Sequence, residues 1–178
     1  CFYPIPLADI LEVMPAASYS FTSTGISIPG EGNLCTQAYE LIKEDFSIDP
    51  VSIHLHKIIP IGAGLGGGSA DASFTLKCLN KIYDLGLQNK DLERYAAQLG
   101  SDCPFFVNNQ PVLASETGTT LSQVEINLED TYLVLLNPGI HVSTAEAYGG
   151  VSPKPPATPI EKILSMPLGQ WQGTLNND

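Results

Sequence analysis

Positive charge is what this sequence has least of. Its 178 residues carry 8 Lys and Arg against 19 Asp and Glu, a formal net charge of -11 at pH 7. That balance argues against a polyanion gripped by massed cations, so nucleic acid and an anionic membrane surface are not expected partners. Long apolar runs are missing too, although 43% of the residues are hydrophobic. The chain therefore reads as a soluble globular protein, long enough for one well-buried domain and little more. Paired cysteines are also lacking: Cys1, Cys35, Cys78 and Cys103 are scattered, with no C-x-x-C. This pattern fits a reducing cytoplasm better than a disulfide framework or a zinc site. No signal peptide is visible. Cys1 is followed by the apolar Phe2-Tyr3-Pro4-Ile5-Pro6-Leu7, unlike the polar tether of a mature lipoprotein. The first residue is not methionine, and the chain reads as a fragment.

What is present is glycine, concentrated in Pro60-Ile61-Gly62-Ala63-Gly64-Leu65-Gly66-Gly67-Gly68-Ser69-Ala70-Asp71-Ala72. Five glycines in the seven positions 62–68 cost backbone entropy that few structural turns require. Without Cβ atoms, main-chain N–H groups can close on a ligand, and Ser69 stands where it could cap the helical pattern that follows. Free N–H groups and the helix dipole at such a start both favour an anion. With so few cations in the chain, a nucleotide phosphate held by backbone is the expected ligand. Two fingerprints overlap here and neither fits. Gly62, Gly64 and Gly67 have G-x-G-x-x-G spacing, but the strand before them, Val51-Ser52-Ile53-His54-Leu55-His56, alternates apolar and polar as a half-exposed strand does. Gly62, Gly67 and Ser69 match G-x-x-x-x-G-K-[ST], yet Gly68 stands where the lysine belongs.

Along the chain, residues 10–13 and 19–28 alternate and are separated by Pro15-Ala16-Ala17, which predicts strands of an antiparallel sheet joined by turns. Asn33 is placed as an N-cap before Leu34, Ala38, Leu41 and Ile42 at helical spacing. His54 and His56 share the outward face of the 51–58 strand and read as a solvated face, whereas Lys57 points the other way, close to the glycine loop. Helices are expected over 69–83 and 89–99, the latter ending at Gly100. Asp102 then precedes Pro104, as an N-cap would. Residues 132–136 form a compact apolar run that predicts a strand, stopped by Pro138-Gly139. Ser143-Thr144-Ala145-Glu146 has capping-box spacing and predicts a short helix carrying Tyr148. Residues 151–159 are proline-rich and read as an extended connector, with a short helix at 160–164.

The run Gly64-Leu65-Gly66-Gly67-Gly68-Ser69-Ala70-Asp71-Ala72 resembles the second motif of the GHMP small-molecule kinases. Its variant is similar to that of the 4-diphosphocytidyl-2-C-methyl-D-erythritol kinases of the non-mevalonate (methylerythritol phosphate) isoprenoid pathway. Leu99-Gly100-Ser101-Asp102-Cys103-Pro104-Phe105-Phe106 is similar to the aspartate segment of that branch, and weaker likeness runs through Asn33-Leu34, Lys57, Pro138-Gly139 and Val142-Ser143-Thr144. The resemblance implies an α+β fold, an antiparallel-rich sheet packed with helices, with residues 1–150 as the ATP-binding domain. Residues 151–178 would be a connector and the start of a C-terminal domain. It implies an ATP- and Mg²⁺-dependent kinase of the cytoplasm that phosphorylates the 2-hydroxyl of a cytidine diphosphate conjugate, with no metal held by protein ligands.

Pro60, Gly62, Gly64, Leu65, Gly66, Gly67, Gly68, Ser69 and Ala70 would line the nucleotide, with Asn33 near its nucleoside and Lys57 beside adenine. Asp102 would accept the hydroxyl proton, while Thr144 and Tyr148 would bind substrate, Tyr148 by stacking on cytosine. For Asn33 and Asp102 a plain capping role stands beside the implied one, and for Tyr148 a plain core or surface position. The chain departs from the pattern at Glu116, where a small residue is usual, and at Thr119, where an acidic one is. The family's Pro-x-Lys-x-Asn and Gly-Tyr-His segments and its late glycine-rich motif would lie beyond these 178 residues. Two other readings compete: a GHMP kinase for homoserine, mevalonate or a sugar, and a nucleotide-binding domain without catalysis.

Overall fold

The computed structural model describes residues 1–178 except Glu31, Thr117, Thr119, His141, Ser143, Pro153, Pro155, Asn177 and Asp178, and except the side chains of Thr144, Ala145 and Tyr148. Its centre is a three-stranded sheet of β1 (Ile10–Pro15), β2 (Ser20–Gly25) and β3 (Val51–Lys57), in the order β1-β3-β2. The helices are α1 (Leu34–Asp45), α2 (Gly67–Ile82), α3 (Asn89–Leu99) and α4 (Cys103–Asn108). A hairpin of β4 (Val112–Ser115) and β5 (Thr120–Gln123) follows, then α5 (Thr144–Gly149) and α6 (Ile160–Leu164).

β3 takes the central place because its period-two pattern leaves one face fully apolar but for its last residue. Val51, Ile53, Leu55 and Lys57 are buried, while Ser52, His54 and His56 are half-buried on the other face. There Thr22 Oγ1 lies 2.8 Å from His54 Nδ1 and Thr24 Oγ1 lies 2.9 Å from His56 Nδ1, a hydroxyl–imidazole ladder. Among the described residues no group of three His, Cys, Asp or Glu is placed to hold a metal.

The strands do not pair as the sequence suggests. β1 and β2 are separated by β3, which runs antiparallel to β1 and parallel to β2. The parallel ladder is possible because α1 lies between β2 and β3 in the chain and makes the crossover that such a pair needs.

α1 begins where its cap requires: Asn33 Oδ1 accepts from Thr36 N at 3.0 Å, and Ala38, Tyr39 and Ile42 turn inward. α3 is started by Asp91, whose carboxylate accepts from Gln88 N at 3.0 Å. The core lies between the inner sheet face, α1 and α2, filled by Ile42, Ile53, Leu55, Leu76 and Leu79. α4 packs across α2 and α3.

The run 132–136 forms no strand. Tyr132 is 94% exposed and Leu136 87%, and no described strand pairs with them. A strand's backbone is satisfied by a neighbour, so an apolar pattern without one stays irregular. Among the described residues no helix is long and apolar enough to cross a membrane.

Candidate nucleotide site

The glycine stretch joins β3 to α2 and reverses the chain through three left-handed residues, Gly62 (φ +70°), Gly64 (φ +71°) and Gly66 (φ +67°). Gly66 is the N-cap of α2, so the helix starts at Gly67, two residues before Ser69. Ser69 is therefore not the cap. It lies inside the first turn of the helix. The first intrahelical bond runs from Ala70 N to Gly66 O at 2.9 Å, and the amides of Gly67, Gly68 and Ser69 precede it. No acidic residue occupies that turn. The helix thus presents its positive end to the cavity in front of it.

That cavity holds about 340 Å³. It brings together Asn33, Lys57, Pro60, Gly62, Gly64, Leu65, Gly66, Gly67, Gly68 and Ser69, all named from the sequence. Ala70 and Asp102 are not on its lining. The glycines serve different ends. A Cβ on Gly66 would stand 2.9 Å from Phe106 Cε2 and Cζ, and one on Gly67 would stand 3.0 Å from Ile59 Cγ2 and from Lys57 Nζ. These two glycines are required by the protein's own packing. At Gly68 a Cβ would meet only Leu34 Cδ1, at 3.8 Å, an ordinary contact. Packing does not demand glycine there.

Lys57 was expected close to the loop, but its pairing with two acids beneath it was not visible in the sequence. The Lys57 ammonium is paired with Asp9 and, at 2.9 Å, with Asp71; the three side chains are 4%, 2% and 8% exposed. Lys57 and Asp71 also line the cavity. Burial works against charge on Lys57, but its bonds to Asp9 and Asp71 prevail and hold the ammonium above its ordinary value. Burial also opposes the Asp9 carboxylate, yet Lys57 and the amides of Ile59 and Ile58 keep it below the usual range. For Asp71 burial wins over the Lys57 bond and pushes the carboxyl up to about 6.

Asp102 holds the N-cap position of α4 in helical geometry (φ -85°, ψ -18°) and makes no side-chain capping bond, so its exposed carboxylate is not used as a cap. α4 is fixed beside the start of α2 by Ser73 Oγ, which donates to Cys103 O at 2.7 Å, and by Phe106 against Gly66. These contacts dock α4 against the Gly66 cap and the first two turns of α2. α5 forms where the spacing predicts a helix, but Ser143 and the side chains of Thr144 and Tyr148 lie outside the described residues, as does Thr119 of the departing loop. Glu116 of that loop is left-handed (φ +58°) and accepts from Thr120 Oγ1 at 3.2 Å.

A family model for the GHMP kinases N terminal domain matches residues 33–110. A Cytophaga hutchinsonii protein named 4-diphosphocytidyl-2-C-methyl-D-erythritol kinase is 50% identical over 181 residues, covering all of this chain and 67% of its own length. A protein of the same name from Parabacteroides distasonis is 45% identical over 179 residues, covering 99% of this chain and 66% of its own. The chain thus spans about two thirds of these relatives. The crystal structure of a 4-(cytidine 5'-diphospho)-2C-methyl-D-erythritol kinase is similar at a TM-score of 0.70 and 33% identity, over 88% of this chain and 56% of that one. A homoserine kinase from Cytophaga hutchinsonii shares the fold alone, at a TM-score of 0.56 and 16% identity over 92% of this chain and 55% of its own. This chain belongs to the GHMP kinases, in the family of the 4-diphosphocytidyl-2-C-methyl-D-erythritol kinases.

Proposed function

We propose that this chain carries the ATP site and the base of a kinase that moves the γ-phosphoryl of ATP to the 2-hydroxyl of 4-diphosphocytidyl-2-C-methyl-D-erythritol, in isoprenoid precursor synthesis. One observation carries the reading: a loop lined by backbone amides opens at the α2 N-terminus, and α4 is docked beside it with an unengaged carboxylate at its tip.

Phosphoryl transfer needs phosphates held in line, their charge offset, and a base beside the attacking hydroxyl. The amides of Gly67, Gly68 and Ser69 supply donors for the phosphates, and the α2 dipole favours their charge. Asn33 and the buried stem of Lys57 would border the nucleoside, since both line the same cavity. Mg²⁺ would offset the remaining phosphate charge. It would arrive bound to the nucleotide's phosphate oxygens. Asp102 would take the hydroxyl proton, and Thr144 and Tyr148 would hold the cytidine end. A purely nucleotide-binding domain gives no reason for Asp102 to hold a cap position without capping.

We place the reaction in the cytoplasm, which the four free cysteines support. Residues 1–150 would form the ATP-binding unit and 151–178 its connector, a division supported by the lack of any described strand or helix over 151–159.

Steady-state kinetics on two variants test the assignment of roles. Asp102→Asn should lower kcat by about 10²–10⁴-fold, as loss of a general base does. Because the residue is exposed and bonds nothing as a cap, stability should change by less than about 0.5 kcal/mol. Tyr148→Ala should instead raise KM for the cytidine substrate with kcat little changed. Exchanged effects would refute the roles.

A further inference from the structure

We propose that Asp9 is the positioning residue of the nucleotide loop. One carboxylate oxygen takes the amides of Ile58 and Ile59, the other takes the Lys57 ammonium, and through Lys57 and Ile59 it fixes Gly67, so that both ends of the loop are held together. The geometry is closed on every side. Asp9 Oδ1 accepts from Ile58 N and, at 2.8 Å, from Ile59 N, the two amides that follow β3 and lead into the loop. Asp9 Oδ2 accepts from Lys57 Nζ, and Lys57 also donates to Asp71, in the second turn of α2. Gly67, the first residue of α2, sits so close to Lys57 Nζ and Ile59 Cγ2 that its missing Cβ would be 3.0 Å from each. The loop between Ile59 and Gly67 therefore leaves and returns at one point, and Asp9 is the group that ties that point down.

The charges explain why a carboxylate is needed. Lys57 lines the cavity, yet its ammonium is held by two acids. With Asp9 removed, Asp71 would be the one acid left on Lys57, and the ammonium would shift toward it, off the position against which Gly67 packs. Held by Asp9, Lys57 acts as a strut under α2, and the phosphate face of the loop is left to the backbone amides. Placement within a fraction of an ångström matters for such amides, because their donors are fixed in direction by the loop and cannot rotate to follow a ligand.

This inference rests on the reading that nucleotide phosphates lie on the loop, and the test separates the two. Calorimetry with the β,γ-imido analogue of ATP is run on the wild type, on Asp9→Asn and Asp9→Ala, and on Leu92→Ala, which opens a cavity in the core on α3, away from the loop. Asp9→Asn keeps an acceptor for the two amides but loses the charge, and should weaken binding about tenfold; Asp9→Ala loses both and should approach 10²-fold. Leu92→Ala should lower Tm with affinity intact. Asp9→Asn binding as tightly as wild type would overturn the proposal, as would an equal loss of affinity in Leu92→Ala. Hydrogen exchange on the wild type decides the clamp even if the Asp9 variants fail to fold. The Ile58 and Ile59 amides should be protected like those of β3, and exchange at open-loop rates would overturn it. A wild type that does not bind the analogue would contradict the nucleotide reading, with the exchange measurement still judging Asp9.

Discussion

The carboxylates beneath the glycine loop and the carboxylate at the tip of α4 are opposites. Asp9 and Asp71 are buried, share one ammonium, and have pKa values pulled apart by burial and hydrogen bonds. Asp102 is exposed and makes no capping bond, although its position in the helix is one where aspartate often caps. The first pair is consumed within the protein, Asp9 by two backbone amides and Lys57, and Asp71 by Lys57. Asp102 makes no such bond. A charge that already has its partners is tied to structure, and one held in place without them is available for chemistry.

The strongest way to break this contrast is to remove the shared cation. Lys57→Met leaves two buried acids without their partner and should destabilise the fold by about 3–5 kcal/mol. Adding Asp9→Asn and Asp71→Asn to it should restore much of the loss, because neutral groups are cheaper to bury than unpaired ions. Denaturant unfolding measures both. If the single variant were as stable as the triple, the triad would not be the structural unit described.

A smaller effect sharpens the contrast through pH. The Asp71 pKa is raised in the folded protein, from an ordinary 3.8 to about 6, so its contribution to stability is full below about 4 and is lost as pH rises through about 6. Asp9 is lowered and has the opposite sign: its contribution is present above the ordinary value and is lost as pH falls through the folded one. Asp71→Asn should therefore match wild type near pH 4 and become the more stable of the two, by on the order of 1 kcal/mol or more, as pH rises through about 6. A pH-independent difference between the two proteins would place the titrating carboxyl elsewhere.

What could be read from sequence follows how local each signal is. Asn33 and the Leu34–Ala38–Ile42 stripe specify α1 within a dozen residues, and the glycine stretch announces both a loop and a helix N-terminus. The cavity lining was legible for the same reason, since most of it is one continuous segment. Asp9 was not, because it meets Lys57 across 48 positions and nothing around Asp9 marks it as different from other acids. Strand order failed similarly: alternation identifies β1 and β2 as strands but does not say that β3 comes between them. Residues 132–136 have the pattern of a strand and lack the described neighbour that would make one. Helices carry their own hydrogen bonds and strands borrow theirs. Even the glycines were read only in part, for Gly66 and Gly67 answer to Phe106, Ile59 and Lys57 before any ligand.

Gly68 tests most directly whether phosphate is held by the backbone at the start of α2. Gly68 lines the cavity, has room for a side chain, and lies in the first helical turn, where an acidic residue interacts well with the dipole. Gly68→Asp should therefore keep Tm or raise stability by about 0.3–1 kcal/mol, while placing a negative charge where phosphate must sit. Calorimetry with the β,γ-imido ATP analogue, beside thermal unfolding of the same samples, is the measurement. With phosphate on these amides, Tm should be unchanged or higher and nucleotide affinity lowered at least tenfold, as one unfavourable charge contact of about 1.4 kcal/mol would give. Wild-type affinity in a fully folded Gly68→Asp protein would contradict it.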